Sequence, residues 1–412
     1  MTEPYRFYVG IDWAWEEHTI CVLGSDAEVV DQRSIPHSGA GLAQLADVLE
    51  KRSGGNPSCV AIAIEIPRGA IVEYLVERGF AVYSLNPKQM DRFRDRHTVP
   101  GAKDDRRDAF VMADALRTDL HLFHKARLDH PDILRIRELS RSEEDVQQDQ
   151  LRAESQLRSL LNRYYPQMLQ LCLAANETWF WDLIELAPLP AQAARLSKSR
   201  IEKLLRSYRI RRFDGEQIHQ ALRAPALQLA PGAAEAASEH VLLILPVLRL
   251  LDQQRTEIAR RMQLLLERMS EDEQVSEHRD VKILLSLPGV GRVISATMLA
   301  EASQPLAERD YHAIRSYAGA APITRQSGKR KMVVMRRGCN PRLRNALYPW
   351  SRVSVQNEPH SKEHYAALRA KGHSHGRALR GVADRLLAVL VSMLRNGTPY
   401  DPPHQPAVAP SK

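Results

Sequence analysis

Three short segments with the apolar pattern of β-strands follow one another at the N-terminus, and this order constrains the fold more than any other feature. They cover residues 5–11, 18–23 and 28–35, with no room for a helix between them. Apolar residues at helical spacing come next, from Gly39 to Lys51, before a short strand of the buried type at 58–64. The sequence therefore predicts a meander of three antiparallel strands that leads into alternating helices and strands.

This alternation continues beyond the fourth strand. Residues from Ile71 to Glu77 have a helical pattern, and Phe80 to Leu85 is predicted as a fifth strand that ends at Asn86-Pro87. Three antiparallel strands followed by helices and parallel strands is the order of a ribonuclease H-like α/β sheet. We therefore expect an α/β domain at the N-terminus.

Four acidic residues lie at the ends of these elements. Asp12 follows the first strand, and Glu65 closes the fourth. Asp105 and Asp108 are three residues apart, so on a helix that begins near Lys103 they face the same side. Two Mg²⁺ ions about 3.5–4 Å apart, held by such hard oxygen ligands, would clamp the attacking and leaving oxygens of a phosphodiester. The four carboxylates are therefore predicted as a catalytic metal site, the alternative being solvated residues and helix-dipole partners.

The charge distribution favours polyanionic partners. The chain of 412 residues, enough for two or three domains, has a formal charge of +8 and a pI near 9.3. Residues 311–357 contain no Asp or Glu. The basic residues in this stretch are Arg315, Arg325, Lys329, Arg330, Lys331, Arg336, Arg337, Arg342, Arg344 and Arg352. Because an ordinary solvated face mixes both signs, we interpret this stretch as a phosphate-binding surface.

Neither the cysteines nor the apolar segments indicate export or a membrane. The four cysteines have no spacing typical of a zinc site or a disulfide framework, which favours a reducing cytoplasm. The N-terminus lacks a signal-peptide pattern, and the longest apolar stretches, His240 to Leu251 and Leu386 to Leu394, are too short to span a bilayer. We expect a soluble, cytoplasmic protein with no membrane partner.

The middle of the chain is predicted to be helical. Residues 132–171 indicate a long amphipathic helix, and Glu239 to Met269 its partner, with Pro246 expected to break or kink the first turns. The two helices could form an antiparallel pair within one chain or a coiled coil between chains. Residues 174–232 form a helical insert with no predicted role, and residues 397–412 a disordered tail.

Two motifs in the last third of the chain suggest contact with phosphates. Gly289 and Gly291, in Leu-Pro-Gly-Val-Gly between two helical patterns, could let backbone N–H groups approach a phosphate, as in helix-hairpin-helix modules. A tight turn between helices explains them equally well. Ser327 lies before Gly328, and Lys329, Arg330 and Arg337 could neutralise a phosphate that its hydroxyl attacks. The motif contains no histidine as a base, and most serines beside glycine are turn residues.

Together these motifs resemble the DEDD transposases of the insertion sequence 110 class. The resemblance rests on the acidic set with Lys-x-Asp-x-x-Asp-Ala at 103–109, on Leu-Pro-Gly-x-Gly at 287–291, and on Ala-Gly-x-x-Pro, Gln-Ser-Gly and the Arg-rich run within 317–344. It covers residues 5–120 and about 280–395. Asp104 stands where the family usually has threonine, and we expect it to face away from the site.

The resemblance implies a domain organisation. It comprises a RuvC-like catalytic domain at 1–125, a helical coiled-coil region with an insert at 126–275 and a mainly helical transposase domain at 276–396 with a helix-hairpin-helix-like element.

The resemblance also implies a chemistry and partners. Asp12, Glu65, Asp105 and Asp108 would bind Mg²⁺, and Ser327 would attack DNA to form a covalent phosphoserine link. A structured noncoding RNA from the element would pair with donor and target DNA, and the protein would act as a dimer or tetramer. The expected nucleic-acid contacts are Gly289, Gly291, Arg325, Lys329, Arg330, Lys331, Arg336, Arg337, Arg342 and Arg344.

Three other classes of function remain as alternatives. A hydrolytic Holliday-junction-type resolvase would use the same carboxylates with water as nucleophile. A sugar kinase-like ATPase also begins with Gly-Ile-Asp, but it needs Gly-rich phosphate loops, and the residues after Asp12 supply none. A non-catalytic DNA-binding protein would leave the acidic set unexplained.

Overall fold

The computed structural model describes residues 5–65, 69–85, 87–97, 104–272, 275–328 and 330–401. Lys103, Lys329 and residues 402–412 lie outside this description, and of Arg330 only the backbone is described. The chain divides into two compact units, residues 1–129 and residues 130–412.

The first unit contains a mixed sheet of six strands in the order β3-β2-β1-β4-β5-β6. The strands are β1 Phe7–Asp12, β2 Glu17–Gly24, β3 Val29–Pro36, β4 Val60–Ile64, β5 Ala81–Ser84 and β6 His124–Lys125. β1, β2 and β3 pair antiparallel, whereas β4 is parallel to β1 and β5 is parallel to β4. The predicted α/β domain is confirmed. β6, antiparallel to β5, was not predicted, because a strand of two residues is too short to show an alternating pattern.

Helices pack on both faces of this sheet. They are α1 Gly39–Arg52, α2 Ala70–Glu77, α3 Pro87–His97 and α4 Asp105–Asp119. Alternate residues of β1 point to opposite faces, so Val9 and Ile11 lie in the apolar core with α1 and α2, and Tyr8 lies in the core with α4. Both faces of the central strands are thus buried, which explains why the sequence of β4 is apolar throughout.

The second unit begins with two long helices that pack side by side. α5 covers Pro131–Tyr164 and α11 covers Ala233–Glu271. Gln156 contacts His240 at 3.0 Å, and Asp132 pairs with Arg268, so the helices are antiparallel within one chain. α11 continues through Pro246, so the predicted break is wrong, and the alternative of a kink stays a prediction. Proline removes only one backbone hydrogen bond from a helix of 39 residues, and packing against α5 retains the rest.

The insert between these helices is a small helical module whose apolar core includes residues of α5 and α11. Its helices are α6 Pro166–Leu169, α7 Thr178–Leu186, α8 Pro190–Ala193, α9 Lys198–Ser207 and α10 Gly215–Leu222. Trp179, Phe180 and Trp181 are fully buried, and the indole of Trp181 donates to the Ala175 carbonyl at 2.8 Å. Tyr164, at the end of α5, donates to the Pro188 carbonyl at 2.8 Å. The insert therefore buries the adjoining ends of α5 and α11.

The rest of the second unit is helical apart from one hairpin. Its helices are α12 Ser276–Ser286, α13 Arg292–Glu301, α14 Ser303–Ala307, α15 Tyr311–Tyr317, α16 Pro341–Asn357, α17 Pro359–Ala370 and α18 His375–Asn396. The hairpin strands are β7 Ile323–Ser327 and β8 Arg330–Val334. Trp350 and Leu387 share one core with Met262 and Met269 of α11. Within the described ranges, no helix is long and apolar enough to cross a membrane.

Candidate active site

Asp12 and Glu65 leave the same edge of the sheet side by side. β1 and β4 are adjacent parallel strands, and their register pairs Ile11 with Ile64. The next residue of each strand is an acid, so the two carboxylates project from the carboxyl ends of neighbouring strands. Asp12 is half-buried and Glu65 is exposed. The two positions that the sequence placed at strand ends are thus brought together by the strand pairing.

Gly10 allows α4 to lie directly on β1 beside these residues. A Cβ atom at Gly10 would lie 1.9 Å from the carbonyl oxygen of Ala109, which no side chain can accommodate. Because Ala109 follows Asp108, this close approach places the first turn of α4, which includes Asp105, next to the end of β1. The backbone of Gly10 therefore positions the second pair of carboxylates.

Gly10→Ala is expected to lower the free energy of unfolding by about 3 kcal/mol or more, because α4 must move off the sheet. Urea denaturation of the full chain measures this loss. Gly39→Ala is the matched control, since a Cβ atom there meets nothing within 4 Å and its effect should stay below about 1 kcal/mol. Equal stability of the two variants would contradict the close packing of α4 on β1 at Gly10.

Asp104 and Asp105 have different environments despite being adjacent. Asp104 is the N-cap of α4, and its Oδ1 accepts the N–H of Arg106 at 3.3 Å. Asp105 is the first residue of the helix and is exposed. Asp104 therefore caps the helix as a threonine would, since both side chains can accept this hydrogen bond.

Asp108 is buried, with 3% of its surface exposed, and it forms a bidentate ion pair with Arg94 of α3. The Arg94 Nε donates to Oδ1 at 2.7 Å, and a terminal nitrogen donates to Oδ2 at 2.9 Å. Sequence reasoning missed Arg94, because its partner is recognised only once α3 and α4 are packed together. The guanidinium places a positive charge next to this buried carboxylate, which offsets the cost of removing its charge from water.

The four carboxylates have the ligand chemistry that a hard divalent cation requires, although their oxygens do not form one compact cluster. Among the described residues, no three of these four offer oxygens that all lie within 4.8 Å of one another. The donor set consists only of carboxylate oxygens, which Mg²⁺ prefers. Each oxygen of Asp108 keeps a second lone pair beside its hydrogen bond to Arg94. The set can thus bind a cation if Asp108 shares or exchanges Arg94.

A neutral histidine fixes the turn that follows Asp12. His18 is fully buried, and its Nε2 lies 2.9 Å from Nδ1 of His37. Burial, followed by the neighbouring His37, lowers the pKa of His18, so its ring stays neutral near pH 7. Its Nδ1 accepts the N–H of Ala14 at 3.4 Å. This contact supports the chain just beyond Asp12, and no sequence motif indicated it.

Ser327 is the last residue of β7, at the tip of the β7–β8 hairpin. The register pairs Ser327 with Arg330 and leaves Gly328 in the connecting turn, with φ of +55°. No strand was predicted here, because β7 is exposed from Thr324 to Ser327 and shows no alternation of buried and exposed residues. The hydroxyl is exposed on a paired backbone, which positions it better than a loop would. Ser327 belongs to the second unit, and the four carboxylates belong to the first.

The basic run divides into exposed and internally paired residues. Arg325 and Lys331 on the hairpin and Arg337 after it are exposed. Arg344 is half-buried, as is Arg336, whose Nε donates to the Ala321 carbonyl at 3.3 Å. The exposed members are free to face a phosphate backbone.

Arg342 points into the unit instead. It contacts Glu144 at 2.6 Å and Glu301 at 3.2 Å. Arg315 likewise pairs with Asp384 at 2.5 Å. Residues 311–357 contain no acids, but acids from other parts of the chain pair with Arg315 and Arg342. The predicted phosphate-binding surface does not extend to these two arginines.

The Leu-Pro-Gly-Val-Gly motif forms the turn between α12 and α13, as predicted. The Pro288 carbonyl accepts hydrogen bonds from Trp350 Nε1 at 3.0 Å and from Ser354 Oγ at 3.1 Å. Gly289 has φ of +78°, and a Cβ atom there would lie 3.1 Å from Val353 of α16. Packing of the turn thus accounts for Gly289, whereas Gly291 begins α13 with open space around it.

Comparison with known proteins gives two family matches. Residues 9–166 match the model of the DEDD transposases of IS110 type, described as "Transposase", and residues 281–366 match "Transposase IS116/IS110/IS902 family". The first match contains all four carboxylates, and the second contains Ser327.

Curated relatives agree with these matches. The chain is 31% identical to the mini-circle putative transposase for IS117 of Streptomyces coelicolor, over 98% of this chain and 97% of that protein. It is 42% identical to the putative transposase y4uE of Sinorhizobium fredii, over 57% of this chain and 64% of that protein. An uncharacterised 42 kDa protein of insertion element IS900 from Mycobacterium paratuberculosis is 26% identical, over 99% of this chain and all of that protein.

Proposed function

The chain belongs to the IS110 family of insertion-sequence transposases, and on this premise we propose that it cleaves and exchanges DNA strands of an insertion sequence in a Mg²⁺-dependent reaction. The observation that carries the proposal is the meeting of Asp12 and Glu65 at one sheet edge, beside the first turn of α4. A RuvC-like catalytic domain has its carboxylates in such a place. The first unit is thus proposed as the site that acts on the phosphodiester.

Asp12, Glu65, Asp105 and Asp108 are proposed to hold the divalent ions. When bound, Mg²⁺ would stabilise negative charge on the oxygens around the reacting phosphorus. The exposed side chains of Glu65 and Asp105 can approach a ligand from solvent, while Arg94 keeps buried Asp108 neutralised until then. The buried His18 accepts a hydrogen bond from Ala14 and so stabilises the turn that follows Asp12.

Ser327 is proposed as the nucleophile. Its Oγ forms a bond to phosphorus as the bond from phosphorus to a DNA sugar oxygen breaks; the serine proton leaves, and the departing oxygen takes up a proton. One phosphodiester is replaced by another, so the bond energy is retained in the phosphoserine link. Reversal of this step with a different DNA end would join the exchanged strands without a nucleotide cofactor.

An RNA guide is proposed to supply the choice of sequence. The support is the family resemblance together with the exposed cations Arg325, Lys331 and Arg337, which can pair with the phosphates of a nucleic acid. Base pairing of the RNA with donor and target DNA would then select the sites, and the protein would bind the shape and charge of the paired strands.

Arg337→Ala is expected to weaken nucleic-acid binding and to reduce the slope of log affinity against log salt by about 0.9 for one lost contact to duplex phosphate. Filter binding over a range of salt concentrations measures both effects. Arg206→Ala is the matched control, because this exposed arginine lies on the insert and pairs with Glu202 one helical turn away. An equal change of slope in both variants would mean that net charge alone is responsible.

Association with a second copy is proposed to use α11. Leu243, Val247 and Leu250 repeat at helical spacing on this helix, and they are 72%, 49% and 54% exposed. Three large apolar side chains on one exposed face are typical of a helix that packs against a partner. We propose a homo-oligomer, a dimer or a tetramer, in which this face is covered.

The double substitution Leu243→Glu and Leu250→Glu is expected to dissociate the oligomer, because it would bury unpaired charges in an apolar contact. Light scattering with size-exclusion chromatography measures the mass. Leu173→Glu is the control, since this residue is also 72% exposed but lies in the insert away from the stripe. An unchanged mass in the double variant would exclude this face.

A hydrolytic resolvase is the second candidate function. It is favoured by one observation, namely that the first unit holds all four carboxylates while Ser327 lies in the second. Incubation of labelled element-junction DNA with the full chain, flank-transcribed RNA, and Mg²⁺ or a chelator tests the proposal. Mg²⁺-dependent strand exchange supports it, and nicking without exchanged products would favour the resolvase.

A further inference from the structure

Three potential metal ligands meet where α5 begins, α11 ends and α12 starts. They are His130, which caps α5, Asp132 in its first turn and His278 in α12. One ligand atom from each residue lies within 4.8 Å of the others. All three belong to the second unit, whereas the four carboxylates described above belong to the first.

The two oxygens of Asp132 have different surroundings. Oδ1 pairs with Arg268 of α11 and lies 3.6 Å from Arg135. Oδ2 faces the imidazoles instead, at 3.4 Å from Nε2 of His278 and 3.9 Å from Nδ1 of His130. The arginines thus hold the carboxylate in place through one oxygen and leave the other directed at two ring nitrogens.

The tautomer of His278 determines which of its ring nitrogens can bind a metal. The residue is 5% exposed, and its Nδ1 lies 3.1 Å from a carboxylate oxygen of Asp272, so Nδ1 carries the proton and donates it. In the tautomer that carries its proton on Nδ1, Nε2 presents a lone pair. Among the described residues this buried nitrogen has no hydrogen-bond partner, and it faces the lone pairs of Asp132 Oδ2. Two lone pairs directed at each other repel unless a positive charge lies between them.

We propose that His130, Asp132 and His278 bind a divalent cation of intermediate hardness, with Zn²⁺ as the best match. Tetrahedral zinc with bonds of about 2.0–2.2 Å places neighbouring ligand atoms about 3.3–3.5 Å apart, and the separation between Asp132 and His278 is 3.4 Å. Two nitrogens and one oxygen suit zinc better than magnesium, which prefers oxygen ligands. A water molecule completes the fourth position.

Neighbouring groups support these ligands from outside. Asp272 orients His278 as a carboxylate behind a zinc-bound histidine does, and Arg268 holds the oxygen of Asp132 that does not face the rings. The side chain of His130 is 32% exposed, so its ring can close the remaining distance, giving up the long 3.3 Å bond from the Asp132 N–H. The bound cation joins the ends of three helices at the base of the α5–α11 pair.

Equilibrium dialysis of the full chain against Zn²⁺, in millimolar Mg²⁺ to keep the hard-oxygen site supplied, tests this proposal. We expect one zinc per chain with micromolar affinity, a rise of a few degrees in the melting temperature, and visible absorption typical of tetrahedral coordination when Co²⁺ is used instead. His278→Ala should weaken binding at least tenfold. His360→Ala should not, because that histidine is 53% exposed and lies beside Glu363, outside the cluster.

His130→Asn provides a second variant that preserves folding. Asparagine retains the helix cap of α5 but removes the imidazole, so it should weaken zinc binding while the circular dichroism stays unchanged. If His278→Ala does not fold, the zinc affinity of His130→Asn tests the proposal in its place. Absence of stoichiometric zinc, or equal affinity in His130→Asn and the unaltered protein, would overturn the proposal.

Discussion

Ser327→Ala is expected to abolish the covalent protein–DNA link and to reduce strand exchange by about 10³-fold or more, because no other group in the hairpin turn replaces the attacking oxygen. The side chain is exposed at the tip of the β7–β8 hairpin, so its truncation should leave the melting temperature unchanged. Nucleic-acid binding should also persist, since the neighbouring cations remain. Quantifying recombinant DNA against time measures the loss.

Thr324→Ala is the matched control for this substitution. Thr324 is another exposed hydroxyl residue on β7, three positions before Ser327. It should retain strand exchange at nearly the rate of the unaltered protein. If Ser327→Ala also retains it, the serine is not the nucleophile, and water at the carboxylate site becomes the better explanation.

Asp12→Asn is expected to reduce strand cleavage by a similar factor of about 10³ or more, because the amide keeps the shape of the side chain but removes its charge and one of its metal-binding oxygens. The pairing of Asp12 with Thr19 in the sheet uses the backbone and should survive. Cleavage of labelled junction DNA at several Mg²⁺ concentrations measures the effect. Added Mg²⁺ should not restore the rate.

Asp104→Asn controls for loss of one negative charge in the same region. Asparagine caps helices as well as aspartate does, so α4 should begin normally and cleavage should stay within about threefold of the unaltered rate. Cleavage by Asp12→Asn within tenfold of normal would exclude Asp12 as a metal ligand. Loss in Asp104→Asn together with full activity in Asp105→Asn would instead exchange the roles of these two neighbours.

The N-terminal domain could be predicted from the sequence because its elements are local and strongly patterned. The first strand was expected at 5–11 and is Phe7–Asp12, and the first helix was expected from Gly39 to Lys51 and is Gly39–Arg52. Acids directly after predicted strands could be assigned to one sheet edge before the pairing was known. The helix expected to begin near Lys103 begins at Asp105.

Contacts between distant residues account for what the sequence did not reveal. The pair of Asp108 with Arg94 depends on how α3 packs against α4, and the pair of Arg342 with Glu301 joins residues that the charge pattern treats separately. His130 and His278 have no metal-binding spacing in the chain. They meet only because α5 and α11 run antiparallel and return the chain to its starting point.

The covalent link proposed between Ser327 and DNA can be detected on a denaturing gel. Purified protein is incubated with Mg²⁺, labelled element-junction DNA and RNA transcribed from the flanking sequence, with Ser327→Ala in parallel. We expect a labelled band at the mass of protein plus DNA strand that is absent with Ser327→Ala. Nicked DNA without such a band in either protein would exclude the serine link and would establish hydrolysis as the reaction.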